Sequence, residues 1–215
     1  MKLEDVPELM QQIQLRLPEN TAARTAVLSK SWLHAWSTIP TLRFHVSNEQ
    51  KHLKMAYIDR TLIRYLHDNI PIEKLDLSIQ VQKGGEWVSP AEKWIRSVST
   101  NTYLKELSVI IGFWDASLNV PNEIMSSENL TKLRVSALFG SATPVWMTTS
   151  RNHINHPFVV NCVSLQELHL TGVRISQQVL DQILSTCRLL AKIYLRPTSA
   201  DLKTIKVKSL PYLEE

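Results

Sequence analysis

The chain has 215 residues, 44% of them hydrophobic, and a formal charge of +4 with the basic residues dispersed. That suits one large domain or a small one joined to a larger one, and argues against a nucleic-acid partner, which wants a clustered basic stripe. Its five glycines leave no Gly-rich phosphate loop, no stretch approaches the roughly 18 apolar residues of a membrane span, and the acidic start Met1-Lys2-Leu3-Glu4-Asp5 is unlike a secretion leader, so the expected setting is cytoplasmic and/or nuclear with no membrane partner.

In chain order, residues 5 to 40 read as compact helices. Val6, Leu9, Met10, Ile13 and Leu17 share one helical face. Pro7 fits a first turn and Pro18 a stop. Asn20 or Thr21 is then expected to cap a second helix running to about Ser29, with Ala22, Ala23, Val27 and Leu28 as its apolar residues. A short third helix follows, with Trp32 and Trp36 four residues apart, closed by Pro40. From Thr41 to Val46 the residues alternate, which predicts a half-buried strand. Residues 49 to 68 read as a helix with Ile58, Leu62, Ile63 and Leu66 as its apolar stripe.

Beyond that point the pattern Leu-x-x-Leu-x-Leu, with aliphatic substitutions, occurs six times, starting at Ile72, Leu104, Leu130, Leu165, Leu190 and Leu202. One such strand cannot bury its apolar residues alone and must stack on a neighbour. The starts are separated by 32, 26, 35, 25 and 12 residues, against about 20–29 in regular leucine-rich repeats. The prediction is an irregular stack with a parallel sheet, and with insertions in the first and third units. Helices are expected over 90 to 99 and over 176 to 187, the latter capped by Ser176. Residues 139 to 161, with Gly140, Pro144 and Pro157, read as a long surface excursion. The last copy alternates Ile205 and Val207 with lysines, as a sheet edge does, and no further helix caps it.

The strings Leu15-Arg16-Leu17-Pro18, Ala23-Arg24-Thr25-Ala26-Val27-Leu28-Ser29-Lys30-Ser31-Trp32, Trp36 and Pro40-Thr41-Leu42-Arg43-Phe44 closely resemble an F-box of the plant F-box/leucine-rich-repeat family. Ser164-Leu165-Gln166-Glu167-Leu168-His169-Leu170 and Cys187-Arg188-Leu189-Leu190 resemble that family's repeats. The resemblance implies an α/β fold: an F-box helical module over 1–45, then an irregular leucine-rich-repeat solenoid over 46–215, truncated at its C-terminal end. It further implies a substrate receptor of an SCF ubiquitin ligase. A Skp-type adaptor, and through it a cullin, would meet Val6, Leu9, Ile13, Leu17, Pro18, Val27, Leu28, Ser29, Trp32 and Trp36, some of which must instead hold the module together. An unknown protein substrate would meet the repeats. Lys2 and Leu3 stand where the family has Leu-Pro, and the asparagine or cysteine that regular repeats carry after the motif is absent. A repeat scaffold with no ubiquitin role and a weakly active truncated paralogue therefore stay open.

No catalytic motif is present, and no cofactor is implied. His153 and His156 lack the partners of a zinc set. Cys162 and Cys187 read as buried thiols serving as small apolar groups. The expectation is thus a non-enzyme that binds. Trp87, Trp114 and Trp146, read as loop aromatics, are the candidate substrate contacts, since tryptophan is enriched at interface anchors.

Overall fold

The structure, a computed structural model, describes residues 6–48, 51–138, 145–147, 160–196 and 212. It is a mixed α/β arrangement. Three short helices, α1 (Pro7–Arg16), α2 (Glu19–Thr25) and α3 (Lys30–Ser37), precede strand β1 (Thr41–Ser47) and helix α4 (Lys51–His67). Strands β2 (Lys74–Val81), β3 (Glu106–Phe113), β5 (Lys132–Ala137), β7 (Glu167–Thr171) and β9 (Lys192–Arg196) join β1 in one parallel sheet of order β1-β2-β3-β5-β7-β9. Short strands β4 (Leu118–Asn119), β6 (Val145–Met147) and β8 (Val173–Ile175) form a second parallel sheet. Helices α5 (Gly85–Ser99) and α6 (Gln177–Thr186) fill two of the returns.

Each motif copy begins two residues before its strand, and the register aligns the copies. Leu75, Leu107, Leu133, Leu168 and Ile193 fall in one row, and Leu77, Val109, Val135, Leu170 and Leu195 in another. A carbonyl staircase sets this register. Glu73, Lys105, Thr131 and Gln166 occupy the motif's second position, and each carbonyl accepts two successive N–H groups of the next copy at 2.8–3.0 Å. The Pro40 carbonyl does the same for Glu73 and Lys74. Ile39-x-x-Leu42-x-Phe44 is therefore a further copy at the head of the stack, with Leu42 opposite Leu75 and Phe44 opposite Leu77. Its phenylalanine in the third apolar slot hides it from an aliphatic pattern. The sixth predicted copy, from Leu202, lies outside the described residues.

Several expectations are corrected. Helix α2 ends at Thr25, not near Ser29, and neither Asn20 nor Thr21 is its cap; the chain enters it from Pro18. Ser29 must be extended (φ −161°, ψ 170°) for its hydroxyl to accept the Trp32 N–H and cap α3, so the preceding residues turn out of the helix. In α4, Ile63 is exposed, and Tyr65 takes the buried place beside Ile58 and Leu62. Helical spacing explains this: 58, 62 and 65 share a face that 63 leaves. The helix predicted from residue 90 begins at Gly85. Pro90 sits inside it, where it has no N–H to contribute to the helix ladder. Trp87, Ala91, Trp94, Ile95 and Val98 form its buried face, with the two indoles packed edge to face at 6.2 Å. Within the predicted excursion, Val145–Met147 is strand β6 with Val145 and Met147 buried; the rest of 139–159 lies outside the described residues.

The second sheet depends on a corner. Gly172, between β7 and β8, has φ +67°. A Cβ there would meet the Ala137 carbonyl oxygen at 2.8 Å. Both the left-handed backbone and the close approach need glycine. Gly172→Ala is expected to destabilise the fold by about 1–3 kcal/mol, read as a lowered urea midpoint at unchanged slope.

Candidate functional site

The three N-terminal helices close on a small core of Met10, Ala22 and Ala35. Gln14, equally buried, links all three: its Nε2 donates to Thr25 Oγ1 at 2.7 Å and to the Trp32 carbonyl at 3.2 Å. Thr25 in turn donates to the Ala22 carbonyl at 2.6 Å. Gln11 Nε2 reaches the carbonyl and hydroxyl of Thr38 at 3.0 and 2.9 Å. The unit is fastened to the sheet by Arg64, which donates to the Ser37 carbonyl at 2.8 Å, and by the Tyr65 hydroxyl, which donates to the Ile39 carbonyl at 3.0 Å. A cleft of about 370 Å³ remains between the helices and β1 and α4, lined in part by Leu17, Trp36, Phe44 and Tyr57.

The predicted adaptor residues divide. Val6, Ile13, Leu17, Trp32 and Trp36 are half-buried, and Pro18 is exposed. Ser29 caps α3. Leu9, Val27 and Leu28 stand out, 42, 84 and 67% exposed. Val27 and Leu28 occupy the turn between α2 and α3 and add nothing to the buried core. Leu33 on α3, 53% exposed, joins this set. It lies off the Trp32–Trp36 stripe, so a leucine beside two tryptophans is the only signal it carries in the sequence. Burying one such side chain against a partner is worth about 1.5–3 kcal/mol.

The three tryptophans proposed for substrate contact do not share a surface. Trp87 is corrected outright: it is a fully buried helix residue, not a loop aromatic, and has no surface to offer. Trp114 follows β3 and is 63% exposed. Trp146 is half-buried on β6, with the Arg174 guanidinium 4.8 Å above its ring.

The side of the six-stranded sheet opposite the core carries charge in rows. Lys74, Glu106, Lys132, Glu167 and Lys192 are in register, alternating in sign across the strands. Contacts run from Lys74 to Glu106 at 2.8 Å, then from Lys132 to Glu106 and Glu167 at 3.8 and 3.6 Å. The hydrogen bond from Lys74 holds the Glu106 carboxyl below the usual carboxylate range, against partial burial and with help from the charges of Lys74 and Lys132.

Among the described residues no three His, Cys, Asp or Glu side chains converge as a metal site, and His153 and His156 lie outside them. No described helix is long and apolar enough to cross a membrane. Cys162 and Cys187 occupy equivalent places, each three residues before a motif copy, where its carbonyl accepts the Leu165 or Leu190 N–H at 3.2 Å. Burial pushes both thiols up to about 12, far from the reactive thiolate range.

The family model for the leucine-rich repeats of the FBD-associated F-box protein At5g56370 matches residues 91–213. The chain belongs to this plant F-box/leucine-rich-repeat family. Among its Arabidopsis thaliana relatives, F-box/LRR-repeat protein 25 is 26% identical over 88% of this chain and 64% of its own length. F-box/FBD/LRR-repeat protein At5g56420 is 23% identical over 99% of this chain and 47% of its own. Putative F-box protein At2g39415 is 43% identical over 26% of this chain and 49% of its own. The chain thus spans less than two thirds of the length of these relatives.

Two outcomes follow for members built this way. Neither cysteine should be alkylated by iodoacetamide at neutral pH in the native state, whereas both react in urea; mass spectrometry reads the difference. Glu106→Gln should cost stability above the carboxylate's ordinary value of 4.5. That cost should fade as pH falls below this value and be lost once pH has passed through the lower native pKa, because a lowered native pKa stabilises only while the group is ionised. The side chain is 34% exposed, so solvent screening keeps the effect to about 1 kcal/mol or less, measured by urea unfolding across pH.

Proposed function

We propose that this chain is the substrate-recognition subunit of an SCF-type ubiquitin ligase. In this reading residues 1–45 act as an F-box module that seats on a Skp-type adaptor, itself joined to a cullin. Residues 46–215 act as a leucine-rich-repeat domain that presents a target protein. The chain supplies binding and orientation; ubiquitin transfer belongs to other subunits, and no cofactor is needed. It would operate in the cytoplasm and/or nucleus.

The observation that carries the reading is the outward placement of Val27 and Leu28 on a helical unit whose core is closed without them. Two adjacent branched apolar side chains in an interhelical turn hold nothing together there. Buried beneath a partner, they gain the transfer free energy that the isolated chain forgoes. Leu9 and Leu33 extend the same chemistry to α1 and α3. The half-buried Leu17, Trp32 and Trp36 serve the module first, so their replacement would confuse unfolding with loss of binding.

The test is co-expression with a plant Skp-type adaptor. The intact chain should co-purify with it. Val27→Ala with Leu28→Ala should weaken the complex by about 2–4 kcal/mol, roughly 30- to 1,000-fold, with an unchanged circular dichroism spectrum. An intact, folded chain that fails to hold the adaptor would sink the proposal.

A further inference from the structure

The cleft between the helical unit and the head of the sheet is lined as a small-molecule site is. Its volume, about 370 Å³, falls within the roughly 300–1,000 Å³ of such sites. Aromatic rings reach it from three elements: Trp36 from α3, Phe44 from β1, and Tyr57 and Tyr65 from α4. Phe44 and Tyr57 meet edge to face at 6.1 Å, which fixes both rings. Trp36 is half-buried and Tyr57 is 59% exposed, so ring surface is left for an occupant.

The polar groups around these rings are few. Arg43 and Arg64 line the cleft, and among the described residues no aspartate or glutamate does. Arg43 already has a carboxylate partner, Asp76 at 3.6 Å. Arg64 has none within salt-bridge reach among the described residues. It donates to the Ser37 carbonyl at 2.8 Å, and its guanidinium lies against Tyr65, 4.9 Å from the ring centroid. These contacts occupy only part of its five N–H groups, and the remainder suit a planar anion. From α1, Gln14 also lines the cleft. Its two contacts both leave through Nε2, and its Oε1 is buried without a hydrogen-bond partner among the described residues. A buried acceptor in that state calls for a donor.

We infer that this cleft binds a small aromatic acid that also carries a hydrogen-bond donor, with its rings against Trp36 and Tyr57, its carboxylate on Arg64 and its donor on Gln14 Oε1. The inference stands on the cleft alone and is independent of the receptor reading. Each part of the ligand answers one observation: the rings the aromatic lining, the carboxylate the arginine without an acidic partner, the donor the orphaned oxygen. A cationic ligand would meet two guanidinium groups and no carboxylate along the described lining. An occupant would touch the helical unit and the first repeat together. It would therefore brace the joint that Arg64 and Tyr65 fasten.

The experiment is isothermal titration calorimetry of the full chain with a hydroxynaphthoate whose hydroxyl and carboxylate lie at opposite ends of the ring system. The wild type should take up one equivalent, with a Kd of about 0.1 mM or tighter. The matching amide, which keeps the shape and lacks the charge, should bind about tenfold more weakly. Naphthoate without the hydroxyl should bind about threefold more weakly or worse. Arg64→Met should abolish the preference for acid over amide. Thr61→Phe should fill the cleft and abolish binding; the Thr61 hydroxyl donates to the Tyr57 carbonyl of its own helix at 2.8 Å, so the circular dichroism spectrum should not change. Absence of saturable binding up to about 1 mM, equal affinity for acid and amide, equal affinity with and without the hydroxyl, or full binding by a folded Thr61→Phe chain would each overturn the inference. The three-ligand series on the wild type decides the matter even where a variant fails to fold.

Discussion

One backbone carbonyl per repeat holds the stack in register. At the second position of each copy, from Pro40 to Gln166, it accepts two consecutive N–H groups of the next copy. A slip of one residue would turn every apolar row to the opposite face. With the register held, Leu75, Leu107, Leu133 and Leu168 lie over one another and the core runs unbroken from β1 to β9. The returns between strands are then free to differ: a 15-residue helix in one, a 3-10 turn in another, a 10-residue helix in a third. Irregular spacing in sequence and regular pairing in space are compatible because the carbonyl contact involves only residues at the strand entrance.

The same register organises the surface. In-line residues on the outward face become rows, so a one-letter choice per repeat sets the charge of a whole stripe. The Lys–Glu alternation gives a ladder of ion pairs that runs from strand to strand.

The helical unit and the sheet meet at Ile39, whose side chain opens the stack and whose carbonyl accepts from Tyr65. A unit of about 40 residues is too small to bury a stable core by itself, and among the described residues this one has three buried apolar contributors, Met10, Ala22 and Ala35, around a buried Gln14. Its stability is therefore shared with α4 and β1 through Tyr65 and Arg64. β1 pairs with β2 along its full length, so the boundary drawn between residues 45 and 46 falls within a strand of the sheet. Joining the helices to the first repeat in this way lets Val27 and Leu28 stay outside the fold.

The first five motif copies, their order in a parallel sheet and the helical character of residues 7–37 are legible from spacing alone, because a period of two or of 3.6 is a local property of the chain. The Ser176 cap and the burial of both cysteines were legible for the same reason. What depended on distant neighbours was not. The copy at Ile39 escapes an aliphatic pattern because its motif ends in Phe44, and only the pairing with β2 shows the equivalence. The second sheet is not legible in the sequence because two- and three-residue strands carry no period, and its corner depends on Gly172 meeting Ala137 across the fold. Trp87 reads as a loop residue because it follows Gly84-Gly85-Glu86, whereas packing against Trp94 makes the earlier helical turn worth forming. Of the ten apolar and polar residues matched to the adaptor pattern, sequence named the set, but the division into half-buried supports and outward Leu9, Pro18, Val27 and Leu28 came only from the folded chain, since exposure depends on which faces the neighbouring helices leave uncovered.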